Sequence, residues 1–113
     1  MTQRGLKYLS DIRRAIDLID EFTKTIESFD DYTNDLKTQS AVERQLGIIG
    51  EAVNKFDLLN PENSLENARK IIGFRNRLIH AYDAVDASMI WVILKKYLNP
   101  LKNEVKSIIR SSP

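Results

Sequence analysis

Apolar side chains recur three and four residues apart through most of this chain, and nowhere do they alternate with polar ones over the length of a strand. That regularity restricts the sequence to amphipathic helices. Leu9, Ile12, Ile16, Ile19 and Ile26, with Thr23 in the one missing place, predict a long helix from about Leu6 to Phe29. The polar run from Asp30 to Asp35 should then break it with a turn, because short polar side chains compete for the backbone's own hydrogen bonds. Val42, Leu46, Ile49, Val53 and Phe56 predict a second helix from about Thr38 to Leu58, stopping at Asn60-Pro61. Gly47 and Gly50 inside it each cost about 1 kcal/mol relative to alanine, so close approach of a neighbouring helix or a ligand is expected there.

Ser64 is an N-cap candidate for a third helix through Leu65, Ala68, Ile71 and Ile72 toward Leu78, with Gly73 a point where it can bend. A fourth segment starts after Asp86, a further N-cap candidate, and carries Ile90, Ile93, Leu94, Tyr97, Leu98, Leu101, Val105 and Ile108. Pro100 lies inside it, where it deletes a ladder bond and crowds a carbonyl one turn back, so a kink or break is expected near Asn99. The architecture these segments imply is all-α, an antiparallel up-and-down bundle of four main helices.

Composition narrows the chemistry. The chain has 113 residues, enough for one domain burying roughly two-thirds of its unfolded surface. It has no cysteine, which excludes disulfides and thiolate sites, and its one histidine, His80, must carry any imidazole chemistry. No apolar run approaches the roughly 20 residues that span a bilayer, and the opening residues lack a signal-peptide core. The expectation is a soluble cytoplasmic protein without membrane contact. The net charge of +1 hides a division: residues 1–68 hold 8 basic and 13 acidic side chains, residues 69–113 hold 9 and 3. The C-terminal part is the one that can face an anion.

Chemistry concentrates between Arg69 and Asp83, where four cations, an amide, the histidine and a tyrosine fall within fifteen residues. On a regular helix Asn76 and His80 share a face, and the arm of Arg77 reaches the same neighbourhood. Arg75 stands about 140° round from His80. The two could converge through the long arginine arm, through a bend at Gly73, or from two subunits meeting at a shared cleft. Guanidinium suits the two oxygens of a phosphodiester, and imidazole suits proton transfer near neutrality. RNA would supply its own nucleophile, the 2′-hydroxyl. From spacing alone, a solvated basic face with a capping histidine fits the same residues.

The string from Arg75 to Tyr82 resembles the Arg-x4-His-x-Tyr signature of HEPN-domain proteins, specifically the HepT-like toxins of prokaryotic toxin–antitoxin pairs. The stretch Ala41–Ala52 is similar to that family's second-helix segment. Tyr82–Asp86 with Ile90-Trp91 is similar to the stretch after its motif, so the likeness runs from about residue 6 to 110. The resemblance implies a single helical domain over 1–113 that forms a homodimer and cleaves RNA without metal or cofactor in a cleft lined by both subunits. It further implies that Arg75 and His80 are catalytic, that Asn76 and Arg77 bind or orient the substrate, and that Tyr82 accepts AMP from a cognate MntA-like nucleotidyltransferase antitoxin. AMP there would add bulk and negative charge two residues from His80.

Outside the motif, Arg44 and Glu51 share a helix face and either reach a cleft or form surface ion pairs. Trp91 and Tyr97 are expected as core or interface anchors. Lys95, Lys96, Lys102, Lys106 and Arg110 form either a solvated face or a guide for RNA. Asp30, Asp31, Asp83 and Asp86 are expected in turns and caps rather than as metal ligands. A reading of a different class also fits: a noncatalytic helical module that binds RNA or a nucleotidyltransferase.

Overall fold

Thr2 starts the first helix by accepting the Gly5 N–H at 3.0 Å, and α1 then runs Gln3–Thr23. The computed structural model of the chain describes residues 1–68, 71–73 and 87–112, and these contain helices and turns but no strand. Five residues of α1, Leu9, Ile12, Ala15, Ile16 and Ile19, form its buried stripe. The helix ends earlier than its apolar spacing predicts. Thr23 turns its hydroxyl back onto the Ile19 carbonyl at 2.8 Å, and Ile26 reaches the core from a turn closed by its own N–H to Thr23 O at 2.9 Å.

The polar run predicted as a turn is itself a short helix, α2 (Phe29–Thr33). Ser28 caps it by accepting the Asp31 N–H at 3.1 Å, and Asp30 and Asp31 sit in its first turn, where the helix dipole favours negative charge. Asp31 also accepts the Glu27 N–H at 3.2 Å, so the carboxylates here are cap and turn groups, as expected. The third helix, α3 (Leu36–Leu59), is capped by Asp35, whose carboxylate takes both the N–H of Thr38 at 3.0 Å and its hydroxyl at 2.7 Å. Those two bonds hold the Asp35 carboxyl below its usual range. Gln39 reaches back to the carbonyls of Tyr32 and Thr33, tying α3 to the end of α2. Its other end comes at Asn60, immediately before Pro61, as the sequence predicts.

Among the described residues the most extensive packing joins α1 to α3. They run antiparallel: Asn60 lies beside Gly5, and the Lys55 ammonium stands 6.0 Å from the Tyr8 ring centroid. Leu46, Ile49, Val53 and Phe56, all buried, meet the stripe of α1. Gly50 is buried in this helix, and Gly47 lines an open groove beside α1.

After Pro61–Asn63 and Glu66–Ala68, both 3-10 turns, residues 71–73 are helical. Ser64 does not cap this segment: the N–H groups of Glu66 and Asn67 go to the carboxylate of Glu104 instead. The last segment comprises α4 (Ala87–Val92), a π-helical turn (Ile93–Tyr97) and α5 (Leu98–Ser111). The distortion expected of Pro100 therefore falls ahead of Asn99, as a widened turn in which Leu98 N–H bonds to Ile93 O, and the helix continues through the proline. Across the core, α5 also runs antiparallel to α1, with Lys102 against Asp17 and Asp20 near the end of α1.

Trp91 serves as a packing anchor, with its ring centroid 6.0 Å from Phe29 and 5.9 Å from Tyr32. Tyr97 packs partly buried against the core. Tyr32 is fully buried and its hydroxyl has no hydrogen-bond partner among the described residues, while burial pushes its pKa up, with the charge of Glu43 adding to the shift. Tyr32→Phe removes that orphaned group and keeps the ring packing. The variant should gain about 1 kcal/mol in unfolding free energy, measured by denaturant titration; a loss of stability would show that the hydroxyl is satisfied in solution.

Candidate functional site

The motif residues Arg75, Asn76, Arg77, His80 and Tyr82 lie outside the described residues, as do Asp83 and Asp86. What the structure shows is how the chain is held on either side of them. Leu65, Ala68 and Ile71 before the motif, and Ile90 and Ile93 after it, are all buried in the one core cluster. Two carboxylates complete the N-terminal hold. Asp57 on α3 accepts the Leu65 N–H at 3.0 Å. Glu104 on α5 accepts the Glu66 N–H at 2.8 Å, the Asn67 N–H at 3.2 Å and the Asn67 side-chain amide at 3.1 Å. Three consecutive backbone donors thus go to side chains from two other helices. Desolvation raises the pKa of Asp57, the bond from Leu65 opposes that, and the nearby charge of Glu104 raises it further. No local motif marks either residue. The one sequence signal is that Glu104 is the sole acid after Asp86.

Arg44 and Glu51 are brought together on an open groove of about 550 Å³ between α1 and α3, over a floor that includes Tyr8, Gly47 and Ile48. Its charges are mixed: Lys7 pairs with Asp11 at 3.0 Å, and Lys55 with Glu51 at 3.6 Å. Partial burial raises the carboxyl pKa of Glu43 on the same groove. Such a balanced surface does not by itself select an anion.

The basic residues of the C-terminal segment divide into two sets. The Lys95 ammonium lies 4.5 Å from the Trp91 ring centroid, a cation–π contact. Lys102 is bound to Asp17 at 2.7 Å and to Asp20 at 3.4 Å, and belongs to the fold rather than to a free basic face. Lys96, Lys106 and Arg110 form no ion pair among the described residues and remain available to an anion.

The family model described as Ribonuclease HepT-like matches residues 12–108, a span that includes the Arg75-x4-His80-x-Tyr82 string and both of its flanks. This chain belongs to the HepT-like ribonuclease family. A probable ribonuclease HepT of Thermococcus cleftensis is 43% identical over 105 residues, covering 89% of this chain and 92% of the relative. A candidate RNase of Methanocaldococcus jannaschii is 34% identical over 116 residues, covering 97% and 92%. Another, from Caldanaerobacter subterraneus subsp. tengcongensis, is 34% identical over 104 residues, covering 91% and 92%. No solved structure gives a significant match. No described helix is long and apolar enough to cross a membrane.

Hydrogen bonds and charge from Asp17 and Asp20 raise the pKa of Lys102 above its ordinary value of 10.5. Its stabilisation is therefore complete below that value and is lost as pH rises through the raised pKa. Lys102→Gln should cost about 0.5 to 1 kcal/mol at neutral pH and low salt. The gap from wild type should close in alkaline buffer; equal melting curves at neutral pH would mean that the pairs contribute nothing.

Proposed function

We propose that this HepT-like ribonuclease is the toxin of a toxin–antitoxin pair: an endoribonuclease built as one domain over residues 1–113 and active as a homodimer. The observation that carries the reading is the Arg75-x4-His80-x-Tyr82 string in a chain that matches the family model across 12–108. In this reading the 2′-hydroxyl of RNA attacks the adjacent phosphorus and displaces the 5′-oxygen of the next nucleotide. The products are a 2′,3′-cyclic phosphate and a free 5′-hydroxyl. His80 takes the proton from the 2′-hydroxyl, and an imidazolium returns one to the departing 5′-oxygen. One histidine per chain makes two imidazoles per dimer, enough for both transfers at a shared cleft. Arg75 holds and polarises the phosphate, whose charge grows as the bonds exchange. Asn76 and Arg77 orient substrate and imidazole.

Control of the enzyme would act on Tyr82. Its phenolic oxygen attacks the α-phosphorus of ATP on a nucleotidyltransferase antitoxin, pyrophosphate leaves, and AMP remains on the ring. The added phosphate repels RNA from the neighbouring cleft. The C-terminal cations Lys96, Lys106 and Arg110, free of ion pairs among the described residues, suit a path for the RNA backbone.

Purified without its antitoxin, the protein should cleave RNA in the presence of EDTA, leave 2′,3′-cyclic phosphate ends, and lose at least about 100-fold in rate with His80→Ala. Full activity of that variant would remove His80 from the mechanism. Salt-dependent RNA binding without cleavage, unchanged by His80→Ala, would select a binding module instead. Intact mass after coexpression with the adjacent nucleotidyltransferase gene tests the switch: one AMP should appear on wild type and none on Tyr82→Phe. An unmodified wild-type chain in a neutralised complex would argue for simple blockade.

A further inference from the structure

We infer that Glu104 is a positioning residue for the ribonuclease reaction, fixing through its carboxylate the start of the segment that carries Arg75 and His80. The inference rests on the ribonuclease reading and assigns a role in it to a side chain on α5, 24 residues beyond the histidine.

A turn beginning at Glu66 needs acceptors for its first backbone N–H groups, and the ordinary solution is a side chain immediately before it. Leu65 stands in that place and has no side-chain acceptor, Ser64 before it is not used, and the N–H groups of Glu66 and Asn67 and the amide of Asn67 all bond to Glu104, 37 and 38 residues away in sequence. A local cap travels with its turn and satisfies the donors wherever the turn lies. A carboxylate on another helix satisfies them only when the turn sits at one place on that helix. The bonds to Glu104 therefore specify location, which a serine cap would not.

Glu104 is itself firmly mounted. Leu101 and Val105 beside it are fully buried, and Lys102, two residues earlier, ties α5 to Asp17 and Asp20 of α1. The arrangement also carries an electrostatic cost, because Glu104 and Asp57 are close enough for the charge of one to raise the pKa of the other. Repulsion between two carboxylates is tolerated where both are needed as acceptors for adjacent donors, Leu65 for Asp57 and Glu66 with Asn67 for Glu104. Ala68 and Ile71 then enter the core, and the sequence reaches Arg75 four residues after Ile71. An error in placing the turn is passed toward the residues that must meet the phosphate, and small displacements of reacting groups carry large penalties in rate.

The test compares wild type, Glu104→Ala, Glu104→Gln and His80→Ala in RNA cleavage, with amide hydrogen exchange monitored at Glu66 and Asn67. Glu104→Ala should lower kcat by about 10- to 100-fold with KM for RNA within about 2-fold of wild type, since the guanidinium and lysine groups that bind RNA are untouched. Exchange at the two amides should quicken. Glu104→Gln keeps one acceptor oxygen and should recover most of kcat; if the alanine variant does not fold, the glutamine variant read against wild type still decides, with a smaller fall in kcat at unchanged KM expected. Glu104 variants as active as wild type, beside a dead His80→Ala, would overturn the positioning role and leave the ribonuclease reading intact. A fall in activity that tracks only the unfolded fraction, with kcat per folded molecule unchanged, would overturn it equally. Wild-type protein without His80-dependent cleavage would overturn the ribonuclease reading, and this inference with it.

Discussion

The seam between α1 and α3 is the constraint on which the other elements depend. Leu9, Ile12, Ile16 and Ile19 meet Leu46, Ile49, Val53 and Phe56, and all eight side chains are essentially removed from water. Burial of that kind is worth roughly 1.5 to 3 kcal/mol per large aliphatic side chain, against which stand the ordering of the two helices and the break between them. Once the two rods are joined, α2 has one place to lie, under Trp91, and α5 has a surface to pack on, sealed at its edge by Lys102. The later segments are fastened to this pair by side chains whose partners lie far away in sequence.

That difference separates what is legible in sequence from what is not. The long helices are legible because a three-four repeat of apolar residues is a local property, and each needs only its own stripe to be recognised. The caps at Ser28 and Asp35 are equally local, but the polar run from Asp30 to Asp35 contains both most of the short helix α2 and the cap of α3, so composition alone suggests a turn. Ile26 extends the stripe of α1 beyond its true end because a side chain can reach the core from a turn as well as from a helix. Ser64 resembles a cap for the same reason in reverse. Its rival, Glu104, is on another helix, and no rule of short spacing connects them.

The candidate site divides along the same line. The residue types from Arg75 to Tyr82 fit anion binding and proton transfer, as they also fit a solvated basic face, and the flanking segments carry the family likeness; both are properties of sequence order. The anchoring of residues 65–67, which precede that stretch, is a property of the fold. Asp57 and Glu104 are unremarkable carboxylates until α3 and α5 are brought beside residues 65–67. Among the C-terminal cations, sequence makes five equivalent, whereas the fold assigns Lys95 to an aromatic face and Lys102 to two aspartates. Charge counting overstates the basic surface by those two.

The π-turn at Ile93–Tyr97 has a consequence for the phase of the last helix. Its wider turn absorbs one extra residue, so consecutive buried positions are five apart there, Ile93 to Leu98, where in the rest of this last segment they are three or four apart. An unbroken α-helix would carry the stripe of α4 roughly 100° away from that of α5. With the insertion, a single rod keeps Ile90 and Ile93 in the core on one side of the bulge and Leu98, Leu101 and Val105 in it on the other. The doubled apolar pairs, Ile93-Leu94 and Tyr97-Leu98, are the written trace of that shift. In evolutionary terms the bulge is a frame-keeper: losing or gaining a residue between 93 and 97 would rotate everything after it, taking Lys102 away from its aspartates and Glu104 away from its turn in one step.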